Sequence, residues 1–111
     1  MSEFVPGISV ILPSFHGIQY LSRVLESLVD QTLDASLYEV VLVLDGPDDG
    51  SKNFVEEFRK LNPSIEIIVL ESLRPGASRA RNIGLSGATR QYITFVDVDD
   101  ALESRFLETA F

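Results

Sequence analysis

Residues 39–51 read EVVLVLDGPDDGS: an unbroken apolar run, Val40 to Leu44, that gives way at Asp45 to a turn built of Gly, Pro, Asp and Ser. An apolar run of strand length without polar alternation fits a strand buried on both faces, and the change to turn formers ends it at Asp45. The same pattern recurs on either side. Upstream, Ile8 to Leu12 is a second β-branched run, closed by Pro13, which cannot donate to a ladder. Between the two, Leu21, Val24, Leu25, Leu28 and Val29 recur at intervals of three and four, predicting an amphipathic helix over Gln19 to Leu33.

Downstream, Phe54, Val55, Phe58 and Leu61 lie at helical spacing, with Ser51 or Asp49 as cap and Asn62-Pro63 as stop. The Phe54 and Phe58 pair belongs to the core. Ile65 to Leu70 predicts a third strand, and the loop Arg74-Pro75-Gly76 opens a stretch of small residues, Ala77 to Ala88, suited to a helix packed closely on a sheet. Gln91 to Val96 predicts a fourth strand, and Leu102, Phe106 and Leu107 begin another helical pattern. Alternation of this kind implies right-handed crossovers and an α/β fold, a Rossmann-like parallel sheet with flanking helices. Residues 1–111 are expected to form one domain, interrupted after its fourth strand.

Composition narrows the function. Seventeen acidic against nine basic residues give a formal charge of -8, which opposes binding to DNA or RNA, where phosphate neutralisation supplies most of the affinity. The absence of cysteine removes disulfides, thiolate metal sites and thiol nucleophiles. No segment has the basic start and apolar stretch of a signal peptide, and no apolar run approaches the roughly 20 residues that span a bilayer. A cytoplasmic location is therefore expected, with membrane association of a longer protein left open.

Polar residues collect where strands end. Pro13-Ser14, Asp45 and the run Asp97 to Asp100 each follow an apolar strand directly, so in a parallel sheet they share one rim, where ligands of such sheets sit. Asp97-Val98-Asp99 offers two carboxylates suited to a hard divalent ion that keeps positions for water and phosphate. Carboxylates there also cap helices, and Asp100 before Ala101-Leu102-Glu103 is placed to do so. Asp48 and Asp49 suit turn formation. His16 has no visible partner in sequence, as expected of a solvated or packed histidine.

Four segments together resemble the family 2 glycosyltransferases, whose nucleotide-binding half has the GT-A fold: Ile8 to Phe15, Glu39 to Ser51, Gly76 to Gly84 (GASRARNIG) and Tyr92 to Asp100. The resemblance covers nearly the whole chain. It implies a nucleotide-sugar donor, a UDP-sugar first, a divalent cation (Mg2+ or Mn2+), and inverting transfer to an acceptor hydroxyl. Carried onto these positions, Pro13 and Ser14 border the base and ribose, and Asp45 meets the base edge. Asp97 reaches the ribose side and Asp99 binds the metal. Arg81-Asn82 matches a donor-site motif in which a guanidinium pairs with phosphate oxygens, while Arg79 is the second arginine of that stretch.

The chain departs from the family at Leu44-Asp45, where two aspartates are common, and at Pro47, where serine is; the base is thereby left open between uracil, guanine and thymine. The family's general base is an aspartate well beyond the metal motif, so no catalytic residue is assigned up to Phe111, and the chain alone is expected to be inactive or nearly so. An unpartnered edge after the fourth strand predicts a homodimer formed through it. A non-catalytic nucleotide-binding module fits the same residues. A receiver-like signalling domain would want acids where Pro13-Ser14 stand, and a dinucleotide oxidoreductase would want Gly-x-Gly-x-x-Gly after the first strand.

Overall fold

The computed structural model describes residues 4–74 and 76–111; Met1 to Glu3 and Pro75 of the expected loop lie outside the described residues. The elements run β1 (Val5–Phe15), α1 (Ile18–Val29), a short 3-10 turn (Ala35–Leu37), β2 (Tyr38–Asp45), α2 (Ser51–Leu61), β3 (Glu66–Ser72), α3 (Ala77–Gly87), β4 (Arg90–Phe95) and α4 (Phe106–Ala110). The four strands form one parallel sheet in the order β3-β2-β1-β4. The Rossmann-like α/β reading therefore holds, and the chain reverses its direction of travel across the sheet between β1 and β4.

Alternation within the strands divides the core. Val10 and Leu12 of β1 and Val40 and Leu42 of β2 pack with Leu21, Val24, Leu25 and Leu28 of α1 and with Val55 and Phe58 of α2. Those helical positions are the apolar stripe read from the sequence. The intervening residues Ile11, Val41 and Val43, all buried, face α3. That helix approaches closely because it is built of small residues: a Cβ on Gly84 would overlap the Ile11 side chain, and one on Gly87 would press on Leu70. Among the described residues no helix covers β4 in the same way, and Tyr92, Ile93 and Phe95 remain half exposed.

Two element boundaries differ from expectation for identifiable reasons. Pro13 does not close β1, which continues to Phe15. The Val96 N–H donates to the Ile11 carbonyl, so alternate residues of β1 from Ile11 onward direct their backbone groups toward β4. Pro13 is the next of that set and has no N–H to give, while β4 pairing stops at Ile11–Phe95 and β2 pairing continues to Phe15–Asp45. The proline ends one ladder and leaves the other intact.

The helix expected at Ala101-Leu102 does not form there. The Asp100 N–H closes a turn onto the Asp97 carbonyl, and α4 begins only at Phe106. Helix α1 likewise stops at Val29, short of Leu33.

A buried polar cluster fastens the end of the sheet opposite the acidic rim. Glu39, fully buried at the start of β2, accepts hydrogen bonds from the Ser9 hydroxyl, the Thr89 N–H and the Thr89 hydroxyl, each at 2.7 Å. The Arg90 guanidinium lies 3.8 Å away and donates to the carbonyls of Pro6 and Ser36. One carboxylate thus joins β1, β2 and the start of β4.

Candidate functional site

The carboxyl ends of β1, β2 and β4 open onto a cleft of about 570 Å³ at the point where the chain reverses across the sheet. This is where ligands of open parallel sheets are held, because the loops diverge there and leave a crevice. Pro13 and Phe15 come from the end of β1, Asp45 from the end of β2, Gly76, Ala77 and Arg81 from the start of α3, and Asp97 to Asp99 from the loop after β4. Five of the seven residues expected at a donor site, Pro13, Asp45, Arg81, Asp97 and Asp99, are brought together.

The other two are not. Ser14 turns its buried side chain away from the cleft into a small neighbouring cavity of about 20 Å³, as strand alternation requires of the residue after Pro13. Asn82 is exposed outside the cleft lining, one position around the helix from Arg81.

Asp45 is buried at the rim. One carboxylate oxygen accepts the Gly76 N–H at 3.1 Å, which ties the start of α3 to the end of β2, and the other is buried without a protein partner among the described residues. Its first structural task is therefore to place Gly76 and, one helical stretch later, Arg81. Among the described residues Arg81 forms no ion pair, so its guanidinium is free for an anion in the cleft.

The acidic loop is the most charged part of the site. Asp97, Asp99 and Asp100 are exposed, and each can bring one oxygen within 4.8 Å of the others. No hydrogen bond or ion pair to these three carboxylates occurs among the described residues. Like charges this close are unfavourable by themselves, and hard oxygen ligands with open positions suit Mg2+ or Mn2+. Asp100 therefore joins the cluster and caps no helix.

Asp48 and Asp49 serve the fold. Asp49 accepts from the Ser51 N–H and hydroxyl at the start of α2 and from the Ile18 N–H at the start of α1, so one carboxylate caps two helices. Burial pushes this carboxyl up, but the bonds from Ser51 and Ile18 outweigh it and hold the group below the usual carboxylate range. Asp48 accepts the Gly50 N–H. His16 is exposed, stacks edge-on against Phe15 and has φ 50°, a left-handed conformation that asparagine tolerates better than most residues. Its position is thus set by backbone geometry.

Sequence reading missed several of the lining residues. Phe15 and Tyr20 put half-exposed aromatic rings against the cleft, and Val98 closes over Gly17, where a Cβ would meet its methyl groups at 3.1 and 3.2 Å. The signal for Tyr20 was its place off the apolar stripe of α1: an aromatic ring that does not face the core needs another surface. Gly76 and Ala77 stood inside the segment Gly76 to Gly84 quoted for the resemblance, without a site role of their own.

The comparisons agree with this geometry. The family model described as "Glycosyl transferase family 2" matches residues 9–111. The glycosyltransferase GlyA of Streptococcus pneumoniae serotype 4 is 36% identical over 104 residues, covering 94% of this chain and 14% of GlyA. The putative teichuronic acid biosynthesis glycosyltransferase TuaG of Bacillus subtilis is 32% identical, over 97% of this chain and 42% of TuaG. Among solved structures, S. aureus TarS 1-349 in complex with UDP-GlcNAc superposes with a TM-score of 0.85 at 29% identity, over 94% of this chain and 30% of that one. The chain thus spans less than half the length of the relatives it matches. Since the family model accounts for all four strands and the whole acidic rim, the chain belongs to glycosyl transferase family 2.

Proposed function

We propose that the rim cleft binds the nucleoside diphosphate of a sugar-nucleotide donor, a UDP-sugar in the first instance, together with Mg2+ or Mn2+, for inverting transfer to an acceptor hydroxyl by the whole protein. The observation that carries the reading is the meeting, in one cleft, of Asp97, Asp99 and Arg81, none of them ion-paired among the described residues, with the Asp100 carboxylate clustered beside the two acids. A diphosphate would accept from the Arg81 guanidinium, and the acidic loop, with Asp99 as principal ligand, would hold the cation. When bound, that cation supplies charge stabilisation for the departing diphosphate.

The chain's own residues do the placing. Asp45 fixes Gly76 and the start of α3, Asp97 borders the ribose side, and Pro13, with the rings of Phe15 and Tyr20, lines the wall on which a base would rest. Ser14 acts from behind this wall, since its hydroxyl faces the smaller cavity. UDP-GlcNAc in the structure of TarS supports a UDP-sugar as first choice. The base that takes the acceptor's proton is assigned to further sequence of the kind the longer relatives carry, so residues 1–111 bind donor without appreciable transfer.

Calorimetric titration with UDP and with GDP, each with Mn2+ or with chelator, tests this reading. Mn2+-dependent binding of UDP, tighter than that of GDP, is the expected result; absence of binding for both nucleotides would sink it. Assembly is proposed to follow from the exposed side of β4, where Tyr92, Ile93 and Phe95 stand half exposed at the border of the sheet and would pair with a second copy. A chain that stays monomeric in sedimentation equilibrium at high concentration would remove that part.

A further inference from the structure

The acidic loop poses a physical problem. Three exposed carboxylates share a space of a few ångströms, and among the described residues no cation offsets them. Left to itself, such a loop would splay. Upstream it is fixed, because the Val96 N–H donates to the Ile11 carbonyl and buried Val96 belongs to the core. Downstream, residues 101–105 lie outside any helix or strand and need another restraint.

That restraint comes from the end of α1. Gln31, only 8% exposed, donates its side-chain amide to the Ser27 carbonyl at 3.0 Å and to the Glu103 carbonyl at 2.9 Å, and its side-chain oxygen accepts the Leu107 N–H at 2.9 Å. Two neighbours reinforce it. The Ser27 hydroxyl accepts the Leu102 N–H at 3.0 Å, and the Thr32 N–H donates to the Ser104 carbonyl at 2.8 Å. Leu107 is thereby seated in the core with no exposure, and Leu102 packs against it from the edge. Buried side-chain amides with both donors and an acceptor satisfied by the backbone are specific restraints, since no apolar side chain reproduces them.

We propose that Gln31 is a positioning residue for the metal-binding loop, holding Asp97, Asp99 and Asp100 in one cluster by anchoring the chain that follows them. The inference rests on the donor-site reading above and names how that site is kept assembled. Gln31 touches neither nucleotide nor cation; it acts through residues 102–107.

Gln31→Met, which keeps the volume and removes the hydrogen bonds, is the decisive variant, with Ser27→Ala as a milder one should Gln31→Met fold poorly. UDP binding is titrated for each chain with Mn2+ and with chelator, alongside hydrogen exchange of the Leu102 and Leu107 amides in the metal-free chains. Gln31→Met is expected to weaken the Mn2+-dependent binding by about tenfold or more, as supporting residues of metal sites commonly do. Binding in chelator should be unchanged, both amides should exchange faster, and Ser27→Ala should shift the same quantities less.

Equal losses with and without Mn2+ would show a merely structural role and overturn the inference, as would a wild-type Mn2+ response in Gln31→Met. A wild-type chain that binds UDP with no response to Mn2+ would instead sink the metal-dependent donor site itself. The two failures are thus told apart by whether the wild-type chain or only the variant departs from expectation.

Discussion

Glu39→Ala should lose about 3–5 kcal/mol of stability, a large share of the roughly 5–15 kcal/mol that holds a domain of this size together. The Ser9 hydroxyl and both Thr89 donors converge on a carboxylate with no solvent exposure, and Arg90 lies beside it. Alanine removes the common acceptor and leaves those donors buried and unsatisfied, and it unties β1 from the start of β4. Urea unfolding gives the measurement. A shift of the midpoint worth less than about 1 kcal/mol, the size of one ordinary hydrogen bond, would show that the cluster is not a clamp.

The same residue gives the stability a pH dependence of known sign. Burial alone pushes the Glu39 carboxyl up, but the Thr89 and Ser9 hydrogen bonds and the Arg90 charge outweigh it and hold the group below the ordinary range. A carboxyl lowered on folding stabilises the fold above its unfolded value, and that contribution is lost as the pH falls through its folded value. The wild-type chain should therefore lose stability on acidification below about pH 4, where glutamates begin to protonate. Glu39→Gln, less stable at neutral pH, should show a flatter acid limb. Asp49, lowered in the same direction, contributes to that limb in both chains.

Asp99→Ala should abolish most of the Mn2+-dependent part of UDP binding, a loss of about a hundredfold or more, since even supporting residues of metal sites are worth about 10–100-fold. The exposed carboxylate makes no bond within the described chain, so its removal costs the fold little and relieves repulsion with Asp97 and Asp100. Unchanged or slightly raised stability combined with lost metal response is the expected pair of results. Arg81→Ala should weaken UDP binding with and without Mn2+, because a guanidinium acts on phosphate directly. An Asp99→Ala chain that keeps its Mn2+ response would move the cation to Asp97 and Asp100 or out of the cleft.

The two substitutions differ in how legible their sites were. Asp99 stood out because two carboxylates spaced two apart directly after an apolar strand share the rim of a parallel sheet with Asp45 and suit a hard divalent ion. Glu39 did not: a glutamate at the first position of an apolar run looks like a solvated strand boundary. Only the arrival of Thr89 and Arg90, fifty residues later, makes it a buried junction. Gln31 was hidden in the same way, since a glutamine after an amphipathic helix has an ordinary solvated role until residues 102–107 fold back over it.

The sequence by itself determined the α/β class, the four strands and the three main helices, and the common rim of Asp45, Asp97 and Asp99, because periodicity and turn chemistry are local and the parallel topology follows from them; Arg81 came only from the family resemblance. It also determined the closeness of α3 to the sheet through the small residues of Ala77 to Ala88, while the part of Gly84 and Gly87 in that approach was decided by the structure. Tertiary structure alone decided that Pro13 ends only the β4 ladder, that Ser14 faces away from the cleft, that Tyr20 lines it, and that Glu39 and Gln31 are fastening points. Each of these depends on which groups meet across tens of residues of chain, and a hydrogen bond or a pocket wall is a property of such meetings rather than of either residue alone.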